Sequence, residues 1–274
     1  MYTTYWQLAE KPFENGSQEA FYFASEAHQG ALLKLRYAIE NRRGGGLLAG
    51  GSGLGKTMLV QMLRRELDED GMRVRHLVFP QMTSRELIAY IAAELGADEL
   101  RDGCEPGADV SVRFIQQQLR QHHEEGLHDV LVIDEAHLLA EEGSLELIRL
   151  LLNFEIDGTP ALSLLLVGQT GLLPAVDRNP GLEERLGVKC LLRPLNLEET
   201  IQYVNHRLSA AGARREIFSH ESLERLFHLT HGKPRKINRL CDLALLIGYA
   251  EEQQSISAHH IESVSQELIA VAPE

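Results

Sequence analysis

The sequence predicts an α/β fold: a parallel sheet sandwiched by helices, with an all-α domain at the C-terminal end. Three observations carry this. Short, mostly apolar runs at Leu47–Ala49, Asp129–Ile133, Leu162–Val167 and Val188–Leu192 alternate with stretches of helical periodicity, the pattern of strands buried on both faces. A glycine-rich stretch joins the first of these runs to a helix. From Leu195 onward only helical segments follow. The chain of 274 residues is long enough for a medium domain with a small one attached. The expected division is 1–194 for the α/β core, including an N-terminal aromatic segment, and 195–274 for the helical domain.

In order, Tyr2 to Phe23 is aromatic and irregular, with Trp6, Pro12, Phe13, Phe21, Tyr22 and Phe23. Ser25 can cap a helix running to about Asn41, with Leu32, Leu35 and Ile39 on one face, and the glycines at 44–46 end it. After the glycine loop, Leu59, Met62, Leu63 and Leu67 mark an amphipathic helix that Gly71 stops. Arg73 to Phe79 reads as a strand. Thr83 and Glu86 have the spacing of a capping box, opening a helix that ends at Gly96. A polar loop over 97–109 leads to a helix from Ser111 to Glu125. The strand Asp129–Ile133 follows, then a helix over 144–155 with an apolar row at Leu147, Ile148, Leu151 and Leu152, then a turn at Asp157-Gly158-Thr159-Pro160. The strands at 162–167 and 188–192 complete the sheet. Helices are expected at 197–211, 220–230, 234–251 and 257–269, with Gly212 and Gly232 between the first three.

Composition narrows the classes. Hydrophobic residues make up 44% and charged residues 24%, which places the chain among globular proteins. A net charge of −13 argues against a surface that coats nucleic acid as a whole, while leaving room for a local basic patch. Cys104, Cys190 and Cys241 are odd in number, widely spaced and without a C-x-x-C pair, so they read as buried free thiols in a reducing compartment. No apolar run approaches the ~18 residues of a spanning helix, and Met1–Glu10 lacks a signal pattern.

The glycine-rich stretch carries the chemistry. Gly50, Gly51, Ser52, Gly53, Leu54, Gly55, Lys56, Thr57 and Met58 lie between strand and helix, and Gly50, Gly55, Lys56 and Thr57 fill the pattern G-x-x-x-x-G-K-[ST]. Glycines let the backbone curl so that successive N–H groups face phosphate oxygens. The following helix turns its positive end to the same anion. Lys56 can reach the β- and γ-phosphates, and the Thr57 hydroxyl can ligate Mg²⁺. The expected ligands are therefore ATP and Mg²⁺, held by a P-loop NTPase sheet.

Asp129–Ile133 ends in two acids, Asp134 and Glu135. Asp134 can help hold hydrated Mg²⁺, and Glu135 can orient or deprotonate the attacking water. The carboxyl end of a parallel strand is the ligand edge of such a sheet. His137, two residues on, is read either as a contact to nucleotide or neighbour or as a polar turn residue. The strand at 162–167 ends in Gly168-Gln169-Thr170, where a polar side chain can hydrogen-bond the water or the γ-phosphate. Gln169 is the first candidate and Thr170 the second.

With these motifs the chain resembles an AAA+ ATPase, and within that class it is similar to the ExeA-type ATPases of the bacterial type II (general) secretion pathway. The resemblance spans nearly the whole chain. It is carried by Tyr5-Trp6-Gln7-Leu8, Lys11-Pro12-Phe13 and Phe21-Tyr22-Phe23 near the N-terminus. Further along it rests on Gly168-Gln169, on Leu195, Glu199-Thr200, Tyr203, Arg207-Leu208 and Ala211-Gly212, and on Gly232-Lys233-Pro234-Arg235-Lys236-Ile237-Asn238. It implies an AAA+ core with a helical lid, ATP bound at a subunit boundary, and self-association into a ring or filament. It implies that Arg185, with Arg178 as second candidate, is a finger entering the neighbour's site, and that Arg235 reaches the γ-phosphate from the lid. It also implies that the N-terminal aromatics flank adenine, with Tyr22 and Phe13 as candidates beside ordinary core packing. Members of the family commonly continue into a membrane span and a periplasmic peptidoglycan-binding region. This sequence contains neither, so the expectation is a cytoplasmic ATPase module, peripheral to the inner membrane through protein partners of a secretion or envelope system.

A competing function follows from the tail. Arg207, Arg214, Arg215, Arg225, Lys233, Arg235, Lys236 and Arg239 outnumber Glu216, Glu221 and Glu224 there. That face suits DNA, as in ATPases of the transposition-targeting or replication-initiator type, or a solvated surface, or a lid turned toward ATP. A third reading is a scaffold switched by ATP binding without turnover. The histidines at 122, 123, 128, 259 and 260 have no clear metal-ligand spacing.

Overall fold

The computed structural model describes residues 2–14, 16, 18–69, 71–96, 107–140 and 143–270. Cys104 and most of the polar loop expected over 97–109 lie outside the described residues. By internal packing the chain divides into two units: Met1–Ala27 with Gly53–Met58 and Arg193–Glu274, and His28–Ser52 with Leu59–Leu192. The sequence instead suggests a single division at 194, with the N-terminal segment in the core.

The second unit is the α/β layer. Its strands are β1 (Gly45–Gly50), β2 (Met72–Leu77), β3 (His128–Ile133), β6 (Leu162–Gly168) and β7 (Leu186–Leu192). They form one parallel sheet in the order β2-β3-β6-β1-β7. Both faces are buried, which is why β1, β3 and β6 are mostly apolar rather than alternating, with His128, Asp129 and Ser163 the buried polar exceptions. Leu47, Leu131, Ile133, Leu164 and Leu166 share one core with residues of α4 (Ser84–Glu94), α5 (Ala108–Glu124), α6 (Ser144–Leu151), α7 (Leu172–Asp177) and α8 (Pro180–Glu183). The opposite face lies under α2 (Glu26–Glu40): a Cβ at Gly46 would stand 2.9 Å from Leu35 Cδ2. That close approach explains why Gly45 and Gly46, expected to end the preceding helix, are strand residues instead.

Other differences are local. The expected strand over 73–79 stops at Leu77, and Val78 and Phe79 are exposed. The helix expected over 144–155 ends at Leu151. Glu155–Ile156 (β4) pairs instead with Thr159–Pro160 (β5) around Asp157 and Gly158, both at positive φ, which is the turn geometry of a tight hairpin. The capping box at Thr83 and Glu86 forms as expected. A 3-10 turn over Ala136–Ala140 and the short helices α7 and α8 have no counterpart in the sequence reading.

The first unit is helical: α9 (Leu197–Ala210), α10 (His220–Thr230), α11 (Pro234–Ala250) and α12 (Ala258–Ala270). Its core includes the N-terminal aromatics Tyr2, Trp6, Phe13 and Phe21. Trp6 is wholly buried and donates Nε1–H to the Leu245 carbonyl at 2.9 Å. Arg207 on α9 is buried too. It donates to the carbonyls of Pro12 and Glu14 and to the Tyr203 hydroxyl, and its guanidinium lies over the Phe21 ring. The segment before α2 is thus bound as part of this core. Among the described residues no helix is long and apolar enough to cross a membrane.

Candidate functional site

In the α/β unit the carboxyl ends of β1, β6 and β3 lie side by side, with Ala49 opposite Gly168 and Leu166 opposite Ile133. That edge collects Gly50 at the end of β1 with Gly51 and Ser52 after it, Gln169 and Thr170 after β6, and Asp134 and Glu135 after β3. Asp134 is 5% exposed; its backbone N–H donates to the Leu77 carbonyl at 2.8 Å and its Oδ1 accepts from the Glu135 N–H at 2.8 Å. Its Oδ2 lies 3.7 Å from His76 Nε2 on β2. Glu135 sits in the left-handed region at φ 50°, which turns the chain sharply out of the strand and leaves the carboxylate half-exposed. A held, buried acid followed by a half-exposed one suits a metal ligand followed by a base.

His137 stands against this edge. Its Nδ1 is 3.3 Å from Glu135 Oε2 and 3.5 Å from the Gln169 backbone nitrogen. Gln169 therefore meets the acidic turn through its main chain, while its side chain is exposed. Arg185 precedes β7. Its carbonyl accepts from Gly45 N–H at 2.9 Å, and its Nη1 donates to the Leu152 carbonyl at 3.2 Å. Arg178 is exposed at the end of α7.

In the helical unit, Gly53 and Gly55 hold φ of 77° and 90°, the curl the glycine pattern requires. The α11 N-terminus is seated on this loop: Arg235 N–H donates to the Gly53 carbonyl at 3.2 Å, and a Cβ at Gly53 would fall 2.8 Å from Arg235 Cβ. Arg235 thus lies against the glycine loop through its backbone, with its side chain exposed. Lys56, the first residue of α3 (Lys56–Glu69), is 7% exposed, and Thr57 is exposed. Phe13 packs edge-on against Phe218 in the core, so packing accounts for it. The curled glycines and the lysine at a helix start fit the phosphates of a nucleotide.

His76 is the residue sequence reading missed. Its neighbour Asp134 follows β3, and nothing in a single chain records that β2 and β3 pair. His137 was visible two residues after Glu135, but not its contact with the end of β6.

This is the fold and loop chemistry of AAA-type P-loop proteins, and the chain belongs to the AAA domain family, which matches residues 39–176. Along its whole length it is similar to general secretion pathway protein A of Aeromonas hydrophila, at 32% identity over 278 residues. The chain spans 50% of that relative's length. The expected ExeA-type resemblance is borne out. The fold is shared with solved AAA structures. One is the Aeropyrum pernix ORC2 protein in ADPNP–ADP complexes, with a TM-score of 0.69 and 16% identity over 94% of this chain and 71% of that one. Another is the Aeropyrum pernix ORC1 protein in complex with DNA, with a TM-score of 0.68 and 15% identity over 88% and 65%. The Thermotoga maritima RuvB Holliday junction branch migration motor has a TM-score of 0.60 and 22% identity over 89% and 69%. The predicted fold class, a parallel sheet flanked by helices with a helical C-terminal region, is thereby established.

Proposed function

We propose that the protein is a Mg²⁺-dependent ATPase that works as an oligomer in assembling a secretion or envelope complex. The observation that carries the hydrolytic part is the pair Asp134–Glu135 at the carboxyl edge of β3, beside the ends of β1 and β6. A protein that only bound nucleotide would need the glycine loop and the metal-side acid but no second, half-exposed carboxylate. Lys56 binds the β- and γ-phosphates, Thr57 and Asp134 hold the cation, and Glu135 takes a proton from the attacking water. Gln169 lies at the end of β6 on the same edge, and Arg235 reaches the γ-phosphate from α11. Mg²⁺, when bound, supplies positive charge to the phosphate oxygens. The likeness to general secretion pathway protein A supports the process, and with it protein partners, a cytoplasmic site of action and a peripheral association with the inner membrane.

A second reading is an ATPase that assembles on DNA. It is favoured by α11, where Lys236 and Arg239 are exposed without an acidic residue between Arg225 and Asp242, and by the fold shared with DNA-complexed ORC1. One set of assays separates these. Lys56→Ala should abolish ATP binding, and Glu135→Gln should hold bound ATP without turnover and favour oligomers. Unchanged turnover in Glu135→Gln would remove Glu135 as base. Stimulation of the native protein by duplex DNA that fades with added salt would favour the second reading.

A further inference from the structure

We infer that His137 is a positioning residue for Glu135, one whose single Nδ1 atom serves either the Glu135 carboxylate or the backbone N–H of Gln169, and so ties the base to the end of β6. The inference rests on the hydrolytic reading above.

The chemistry of one nitrogen makes the two contacts exclusive. Nδ1 is 3.3 Å from Glu135 Oε2 and 3.5 Å from Gln169 N. A carboxylate only accepts, so Nδ1 engages it as a donor, carrying a proton. A backbone N–H only donates, so Nδ1 engages it as an acceptor, with its lone pair free. The two cannot hold at once. In the first state the Glu135 head is fastened to the turn that carries it. In the second, His137 is fastened to β6 and the carboxylate is released toward a water. A small shift of the β6 end, where Gln169 and Thr170 emerge, thus changes the freedom of the base.

The surroundings are built for this contact. Glu135 adopts φ 50° although it is not glycine, which swings the chain so that residue 137 returns over the strand end. Its carbonyl closes the turn by accepting from Leu138 N–H at 2.9 Å. Position 168 is glycine, and a Cβ there would lie 3.1 Å from His137 N and 3.5 Å from its Nδ1. The tight contacts are with the His137 backbone nitrogen and with Leu172 Cδ2, also at 3.1 Å, so the bare backbone at 168 is what lets the turn carrying His137 pack against the end of β6.

The test exploits ring geometry. Asparagine places a donor or an acceptor where Nδ1 stands, according to how its amide is turned; glutamine reaches only the position of Nε2. His137→Ala and His137→Gln should lower kcat at least about tenfold with KM for ATP and Kd for a non-hydrolysable analogue near native, whereas His137→Asn recovers most of kcat. Gly168→Ala should reproduce the loss by crowding the His137 backbone and shifting the turn that carries the ring. Independently of turnover, the His137 Nδ1 resonance in nitrogen NMR should move in Glu135→Gln. An unmoved resonance, or glutamine rescuing as well as asparagine, or a raised KM at unchanged kcat, overturns the inference. If the native protein turns over no faster than Lys56→Ala, hydrolysis itself fails, and the NMR result still decides whether the His137–Glu135 contact exists.

Discussion

His128 begins β3 with its side chain buried and its Nε2 2.8 Å from Ser163 Oγ. Burial, helped by the nearby charges of Arg42 and His123, pushes its pKa from 6.5 down to about 4. The sign follows from linkage. The unfolded chain takes up a proton below about pH 6.5 and the folded chain does not until about pH 4. Stability is therefore complete above pH 6.5 and drains away as pH falls through that window, by about 3 kcal/mol at its end. Asp129, on the next residue, works the other way. Burial raises its carboxyl against the pull of His122, whose Nδ1 is 2.6 Å away, so acid relieves part of its cost. Urea midpoints taken from pH 7 to pH 4.5 should fall for the native protein and fall distinctly less for His128→Gln, which retains a partner for Ser163. Parallel curves for the two would assign the acid sensitivity elsewhere.

At the scale of elements, the joint between α10 and α11 is the most constrained turn in the helical unit. Gly232 has φ 67°, and a Cβ there would stand 1.8 Å from the Leu195 carbonyl oxygen, while Leu195 N–H donates to the Gly232 carbonyl at 2.9 Å. The strand-like segment entering α9 and the turn entering α11 are pressed backbone to backbone. Gly232→Ala should cost about 3 kcal/mol or more, read as a drop in unfolding midpoint, and should weaken nucleotide affinity, because α11 carries Arg235 onto Gly53. A neutral substitution would mean that this joint yields. The elements also mark what a sequence discloses. The glycine loop was legible because its function is written in backbone spacing. The acid pair is legible because a strand end is a covalent address, and β1, β3 and β6 because strands buried on both faces carry mostly apolar runs. The order β2-β3-β6-β1-β7 was not, because it depends on where each crossover lands, so the approach of His76 to Asp134 had no signal. Nor was the packing of Trp6 against α11, since an aromatic segment reads the same whether it lines a ligand or a core. The helix expected over 144–155 stops at Leu151, although the apolar spacing continues through Phe154, where the chain has already turned into a hairpin.

At the scale of the whole molecule, the sheet register bears on whether one chain is a complete catalyst. Leu186 pairs with Gly45, Gly45 with Leu164, and Leu164 with Leu131. Arg185, just before Leu186, therefore lies at the amino end of the sheet, whereas Asp134 is three residues past Leu131 on a strand three places away. That is ~13 Å along and ~14 Å across, beyond the reach of an arginine side chain, and the guanidinium is in addition bonded to the Leu152 carbonyl. An Arg185 that neutralises charge on a γ-phosphate must do so in another copy. Two deficient variants then complement each other: Lys56→Ala has the arginine but binds no ATP, and Arg185→Ala binds ATP but lacks the arginine. Mixed at equal concentration, they should turn over ATP faster than the sum of the two measured alone, and dilution should abolish the gain as oligomers separate. If the mixture gives only the sum while light scattering shows the variants associating, Arg185 is a tether for the 152 carbonyl. Arg178, exposed at the end of α7, is then the next residue to test in the same mixture.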